Sequence, residues 1–180
     1  MIGACLIPPL DDDGYLPSGI HPADLDEIEA RFGQESELRQ VERESIRWLV
    51  DLARRAGVQR IVINGSFATA VLEPNDVDCA LLIGPGFPQD ARAEEELIEG
   101  LPFLDIHLVR QDGWDERVGS IFATDRRRNP KGMIEVISPP FWASQDRSLA
   151  QDAYDFSSMS REPSCSLIWR LRAARRSLAL

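Results

Sequence analysis

The 180-residue chain is 43% hydrophobic and 28% charged, and its 30 acidic and 20 basic residues give a formal net charge of −10. That composition supplies a buried core and excludes a general nucleic-acid-binding surface, which needs an excess of cations. No apolar stretch approaches the ~20 residues that span a bilayer, and residues 1–10 carry no basic residue ahead of their apolar run, so one cytoplasmic domain without membrane contact is expected over 1–180.

Residues 23–32 and 36–56 read as helices. In the second, Leu38, Val41, Ser45, Trp48 or Leu49, Leu52 and Ala56 recur at helical spacing and mark the face expected against a sheet, while Glu37, Glu42, Arg43, Glu44, Arg47 and Arg54 occupy other faces. His21, ahead of Pro22, reads as a loop or cap residue. Gly57 ends the long helix, and the β-branched run Ile61-Val62-Ile63 follows as a buried strand. Asn64-Gly65-Ser66 breaks that strand where a helix is expected to begin in Phe67-Ala68-Thr69-Ala70. Pro74 and Asn75 turn the chain into a second apolar run that opens with Asp76-Val77-Asp78. An acidic helix is expected over 91–100, then a strand over 101–109 in which Asp105 and His107 alternate with apolar residues. Trp114, Val118, Ile121 and Phe122 form a short apolar stripe expected in the core. The strand 132–137 comes next, then an irregular stretch over 138–163. The segment 164–180 reads as a basic amphipathic helix, with Leu167, Leu171, Ala174 and Leu178 along one stripe and Arg170, Arg172, Arg175 and Arg176 around it. Alternating helices and strands of this kind predict an α/β domain.

Two places carry chemistry. Gly65 lets a phosphate approach the backbone closely, and Ser66 adds a hydroxyl and an N–H at the expected helix start. Asp76 and Asp78, two apart on a strand, project from one face and can share a cation; two hard carboxylates with open positions suit Mg²⁺, which favours waters and substrate phosphates as its other ligands. Asp105, from a neighbouring strand, is available for a second metal ion and for the attacking hydroxyl, as two-metal phosphoryl transfer requires. His107 shares its strand face, either in the cleft or orienting another group. Each feature alone also fits a plain turn or a solvated strand edge.

Together, Ile-Val-Ile-Asn-Gly-Ser, Asp76-Val77-Asp78 and Leu104-Asp105-Ile106 resemble the polymerase-β-like nucleotidyltransferase superfamily over about residues 60–109. The resemblance implies an α+β fold with a small mixed sheet and flanking helices. It also implies that Gly65 and Ser66 contact nucleotide phosphates, that Asp76 and Asp78 hold both Mg²⁺ ions, and that Asp105 is the third metal ligand near the acceptor. Within the superfamily the chain is similar to the minimal bacterial branch that includes partners in toxin–antitoxin pairs. Leu16-Pro17-Ser18-Gly19-Ile20-His21 and Asn129-Pro130-Lys131-Gly132-Met133-Ile134 are similar to an uncharacterised group within it.

Charge is unevenly spread: residues 1–51 hold twelve acids and four bases, residues 52–109 nine and four, and residues 110–180 nine and twelve. Arg126, Arg127, Arg128 and Lys131 lie in a turn before the 132–137 strand, where Arg126 and Lys131 are candidates to hold substrate phosphates, although such a turn equally serves solubility. The 164–180 helix either caps the core, docks a partner protein or meets RNA phosphates. Three widely spaced cysteines, Cys5, Cys79 and Cys165, fit reduced thiols, with Cys79 in the core. Two functions follow as expectations: transfer of an NMP from an NTP to a hydroxyl of RNA, such as a tRNA 3′ end, or of a protein; or binding by a non-catalytic antitoxin or regulatory subunit.

Overall fold

The three helices that line one side of the sheet each begin at a short polar side chain able to take up their open N–H groups. The computed structural model describes residues 7–75, 77–125 and 127–137, all in the first of the two units into which the chain divides, Met1–Ser138. Asp76, Arg126, the stretch expected to be irregular over 138–163 and the expected basic helix over 164–180 lie outside the described residues.

In chain order the elements are β1 (Gly19–Ala23), α1 (Leu25–Phe32), α2 (Glu37–Ala56), β2 (Arg60–Gly65), a 3₁₀ turn (Ser66–Ala68) and β3 (Val77–Ile83). They continue with α3 (Ala91–Glu99), β4 (Leu104–Arg110), α4 (Gln111–Glu116), a π-helix that prolongs it (Arg117–Phe122) and β5 (Gly132–Val136). Asp24 caps α1 by accepting from the Glu27 N–H, Ser36 caps α2 through the Arg39 N–H, and Asp90 caps α3 through the Arg92 and Ala93 N–H groups. At the far end of α2, Gly57 takes the left-handed conformation (φ 81°) that a β-carbon resists, and Val58 N–H closes the helix on the Ala53 carbonyl. The first helix is shorter than expected. Ala23 pairs instead with Val136, and His21 lies within β1, its Nε2 2.7 Å from the Pro17 carbonyl oxygen.

The five strands form one mixed sheet in the order β1-β5-β2-β3-β4, so the domain is α+β. β2 is antiparallel to both β3 and β5, whereas β1–β5 and β3–β4 run parallel. One face carries Ile61, Ile63, Cys79, Leu81, Ile134 and Val136 against α1, α2 and α3. The other carries Val62, Ala80, Leu82 and Met133 against Trp114, Val118 and Phe122, the stripe expected in the core; its fourth member, Ile121, is instead half-exposed. Among the described residues no helix is long and apolar enough to cross a membrane.

The buried face of α2 keeps Ser45, Leu49, Leu52 and Ala56 of the expected one and differs at its other positions. Val41 is exposed and Leu38 and Trp48 are only half-buried, while Arg39, Glu42, Ile46, Leu49, Val50, Ala53 and Ala56 face inward. Two charged residues on that face misled the hydropathy pattern. At the opposite side of the sheet, Gly132 opens β5 under the loop preceding β1, with its N–H on the Leu16 carbonyl at 2.8 Å. A β-carbon there would collide with the Pro17 carbonyl and come within 2.8 Å of Leu16 Cβ. Gly132→Ala is therefore expected to cost about 1–3 kcal/mol of stability, read as a lower urea midpoint at unchanged slope.

Candidate functional site

β2 ends in Gly65 at φ 85° and ψ −167°, a conformation open to glycine and hostile to other residues. The bend delivers Ser66 to the end of the sheet, where its Oγ accepts the Asn75 N–H at 3.0 Å and ties the start of the following loop to its end. The helix expected over residues 67–70 does not form. Its first bond would join the Ala70 N–H to the Ser66 carbonyl, but that N–H donates to the Gly14 carbonyl at 2.9 Å, and the Ser66 carbonyl accepts the Thr69 hydroxyl at 2.6 Å. A single 3₁₀ turn remains, and Thr69 is already extended. The phosphate site expected here is thus left with the Gly65 backbone and the Ser66 hydroxyl, without a helix dipole behind it.

A buried arginine holds this loop. Arg39 is fully buried on α2, its Nη1 donating to the carbonyls of Phe32 and Phe67 at 2.9 Å each and its Nη2 to that of Thr69 at 2.8 Å. Nε and Nη2 also reach the Val71 carbonyl, and the guanidinium lies 5.6 Å from the centre of the Phe67 ring. Burial pulls its pKa down, opposed by the charges of Glu35 and Glu42. Only a planar fork with five N–H donors serves that many carbonyls. Sequence reasoning assigned Arg39 no role; the spacing of Arg39, Glu42, Ile46 and Leu49 was the available signal.

The acids form a row. Asp78 is in register with Asp105 on β4 and with Asn64 on β2, so the three side chains share one face of three adjacent strands. Both aspartates are partly exposed, at the end of the face that the α4 and π-helix residues leave uncovered. Between and behind them, buried Cys79 points to the other face; burial pushes its thiol up, and the charges of Asp78 and Asp105 push it further. His107 lies beside Asp105, with Nε2 3.9 Å from Oδ2, and its ring meets Phe122 edge-on at 5.9 Å between centres.

β5 lies next to β2, so the basic turn before it reaches the same end of the sheet. Asp125 organises that turn by accepting from the N–H groups of Arg127 and Asn129 at 2.7 and 2.8 Å, which hold its carboxyl below the usual range. Lys131 is half-buried, its pKa lowered by burial against the pull of the Asp78 and Asp125 charges, while Arg127 and Arg128 are exposed. Of the candidate residues, the structure therefore brings together Gly65, Ser66, Asp78 and Asp105 on one end of the sheet, with Lys131 in the field of Asp78.

Among the described residues, no three His, Cys, Asp or Glu side chains are grouped to hold a metal ion. The row offers two hard carboxylates and, from Asn64, a buried amide oxygen with no hydrogen-bond partner among the described residues, a donor set of the kind Mg²⁺ accepts. No curated protein and no solved structure matches the chain. The model of DUF6932, a family of unknown function, matches residues 8–137, and the chain belongs to that family.

Proposed function

We propose that this protein is an Mg²⁺-dependent nucleotidyltransferase of the polymerase-β-like kind, moving a nucleoside monophosphate from an NTP to a hydroxyl of RNA or protein. The observation that carries the reading is the in-register pair Asp78–Asp105 at the end of the sheet where Gly65 and Ser66 turn out of β2.

Asp78 and Asp105, with Asp76 from the same motif, would hold the ions. Mg²⁺, when bound there, supplies the Lewis acidity that neutralises the triphosphate. Gly65 admits a phosphate to the backbone, the Ser66 hydroxyl hydrogen-bonds its oxygens, and Lys131, with Arg126 from the same turn, offsets the charge that builds on the leaving pyrophosphate. Asp105, at the outer strand of the row, accepts the proton of the acceptor hydroxyl. The acceptor oxygen bonds to the α-phosphorus, the bond to the bridging oxygen breaks, and pyrophosphate leaves with that electron pair. A neighbouring partner protein, as in toxin–antitoxin pairs, is the natural source of acceptor specificity for so small a domain.

Incubation with each α-labelled NTP, Mg²⁺ and host RNA or protein is expected to label one acceptor class with the wild type only. Label in RNA or in protein decides the acceptor. Incorporation by neither wild type nor Asp78→Asn would overturn the reading in favour of a non-catalytic binding partner.

A further inference from the structure

We propose that Asn64 is part of the cation site, its Oδ1 accepting a hydrogen bond from a water carried by a divalent cation that Asp78 and Asp105 hold. This rests on the reading above and adds a residue that the Gly-Ser and Asp-x-Asp motif does not supply.

Asn64 occupies the β2 position opposite Asp78, which in turn is opposite Asp105. Directly opposed residues on neighbouring strands hold their β-carbons about 4.5–5.5 Å apart, so the amide is the immediate lateral neighbour of the carboxylate. It is only 2% exposed, on a strand that is otherwise apolar after Arg60. Its Nδ2 donates to the Phe122 carbonyl at 2.6 Å. That bond identifies the other end of the amide as oxygen, since the reverse orientation would set two carbonyl oxygens against each other.

Oδ1 is therefore a buried acceptor with no donor among the described residues. Such an atom has given up its water without gaining a donor in return, which disfavours the folded state unless a ligand supplies one. The surroundings say which donor would meet it. Two carboxylates in the same row attract a cation, and Mg²⁺ keeps several waters, each polarised into a strong donor. A neutral oxygen beside the first of those carboxylates is suited to one of those waters. The Phe122 carbonyl ends the π-helix, where no further turn can use it, and such segments often accompany functional sites. Asn64 thereby joins the acid row to the helix that covers the same face, and its orientation is fixed before any ligand arrives.

The test is binding rather than turnover. Free Mn²⁺, a paramagnetic stand-in for Mg²⁺, is counted by electron paramagnetic resonance with full-length wild type, Asp78→Asn and Asn64→Leu. Asp78→Asn is expected to lose binding, and Asn64→Leu to weaken it by about 10–100-fold, the usual effect of removing a group that orients a metal's shell. Wild-type affinity in Asn64→Leu, with binding lost in Asp78→Asn, would overturn the role of Asn64 and leave the transferase reading intact. Absence of Mn²⁺ binding by the wild type, with or without NTP, would overturn both. Should Asn64→Leu not fold, the wild type decides: the Asn64 side-chain amide resonances are expected to move with Mg²⁺ along the binding isotherm, and resonances that stay fixed through saturation would overturn the proposal.

Discussion

Asp78→Asn is expected to reduce the proposed NMP transfer by about 10³-fold, because losing a carboxylate that would hold the ion removes roughly 4 kcal/mol of transition-state stabilisation. The fold should scarcely notice. Asp78 faces the like charge of Asp105 directly, and it also attracts Lys131, so neutralising it removes repulsion as well as attraction at a partly exposed position. Cross-strand charge terms of that kind are about 0.2–1 kcal/mol and here oppose each other. Unfolding free energy in urea should stay within about 1 kcal/mol of wild type. Added Mg²⁺ should raise the melting temperature of the wild type and not of the variant, since a ligand stabilises only the state that binds it. Loss of activity together with a collapsed melting curve would instead place Asp78 among the structural residues.

The largest structural effect is expected at Arg39. Arg39→Met removes the donors on which the carbonyls of Phe32, Phe67, Thr69 and Val71 depend, and takes a positive charge from beside Glu42. Breaking a buried charged network costs about 3–5 kcal/mol. That is a large part of the stability of an ordinary domain, so a fall of the urea midpoint toward zero is expected. Arg39→Lys should recover little, because an ammonium has three donors around one point and cannot reproduce the fork. A midpoint near wild type in either variant would show that the carbonyls find water instead.

Much of this was legible in the residues. The β-branched run of β2, the Ser36 and Gly57 boundaries of α2, the acidic α3 and the alternation of β4 all follow from local preferences that the tertiary structure did not override. Asp78 could be placed on a strand from the apolar run that it opens, and Asp105 from alternation. Their pairing could not, since register depends on how β3 and β4 meet across the connecting helix. β1 was hidden because Gly19-Ile20-His21-Pro22 has weak strand propensity and is held by β5, which lies far along the chain. The failed helix after Ser66 was hidden for the same reason: Gly14 supplies the competing acceptor from a distant segment. Asn64 looked like the polar end of a strand, and only its lateral neighbours give it a place in the site.

The loop between Ser66 and Asn75 is held from several directions. Arg39 takes its carbonyls, Ser36 Oγ donates to the Leu72 carbonyl at 3.0 Å, Tyr15 bridges Thr69, and Ser66 clasps Asn75. A glycine-bearing loop around a phosphate ordinarily loses freedom when its ligand arrives, and that loss weakens binding. Here the freedom is surrendered during folding, with α2 and the segment before β1 as the mould. On the proposed reading, association with a polyphosphate should then carry little conformational entropy penalty, leaving its rate to be governed by diffusion and charge.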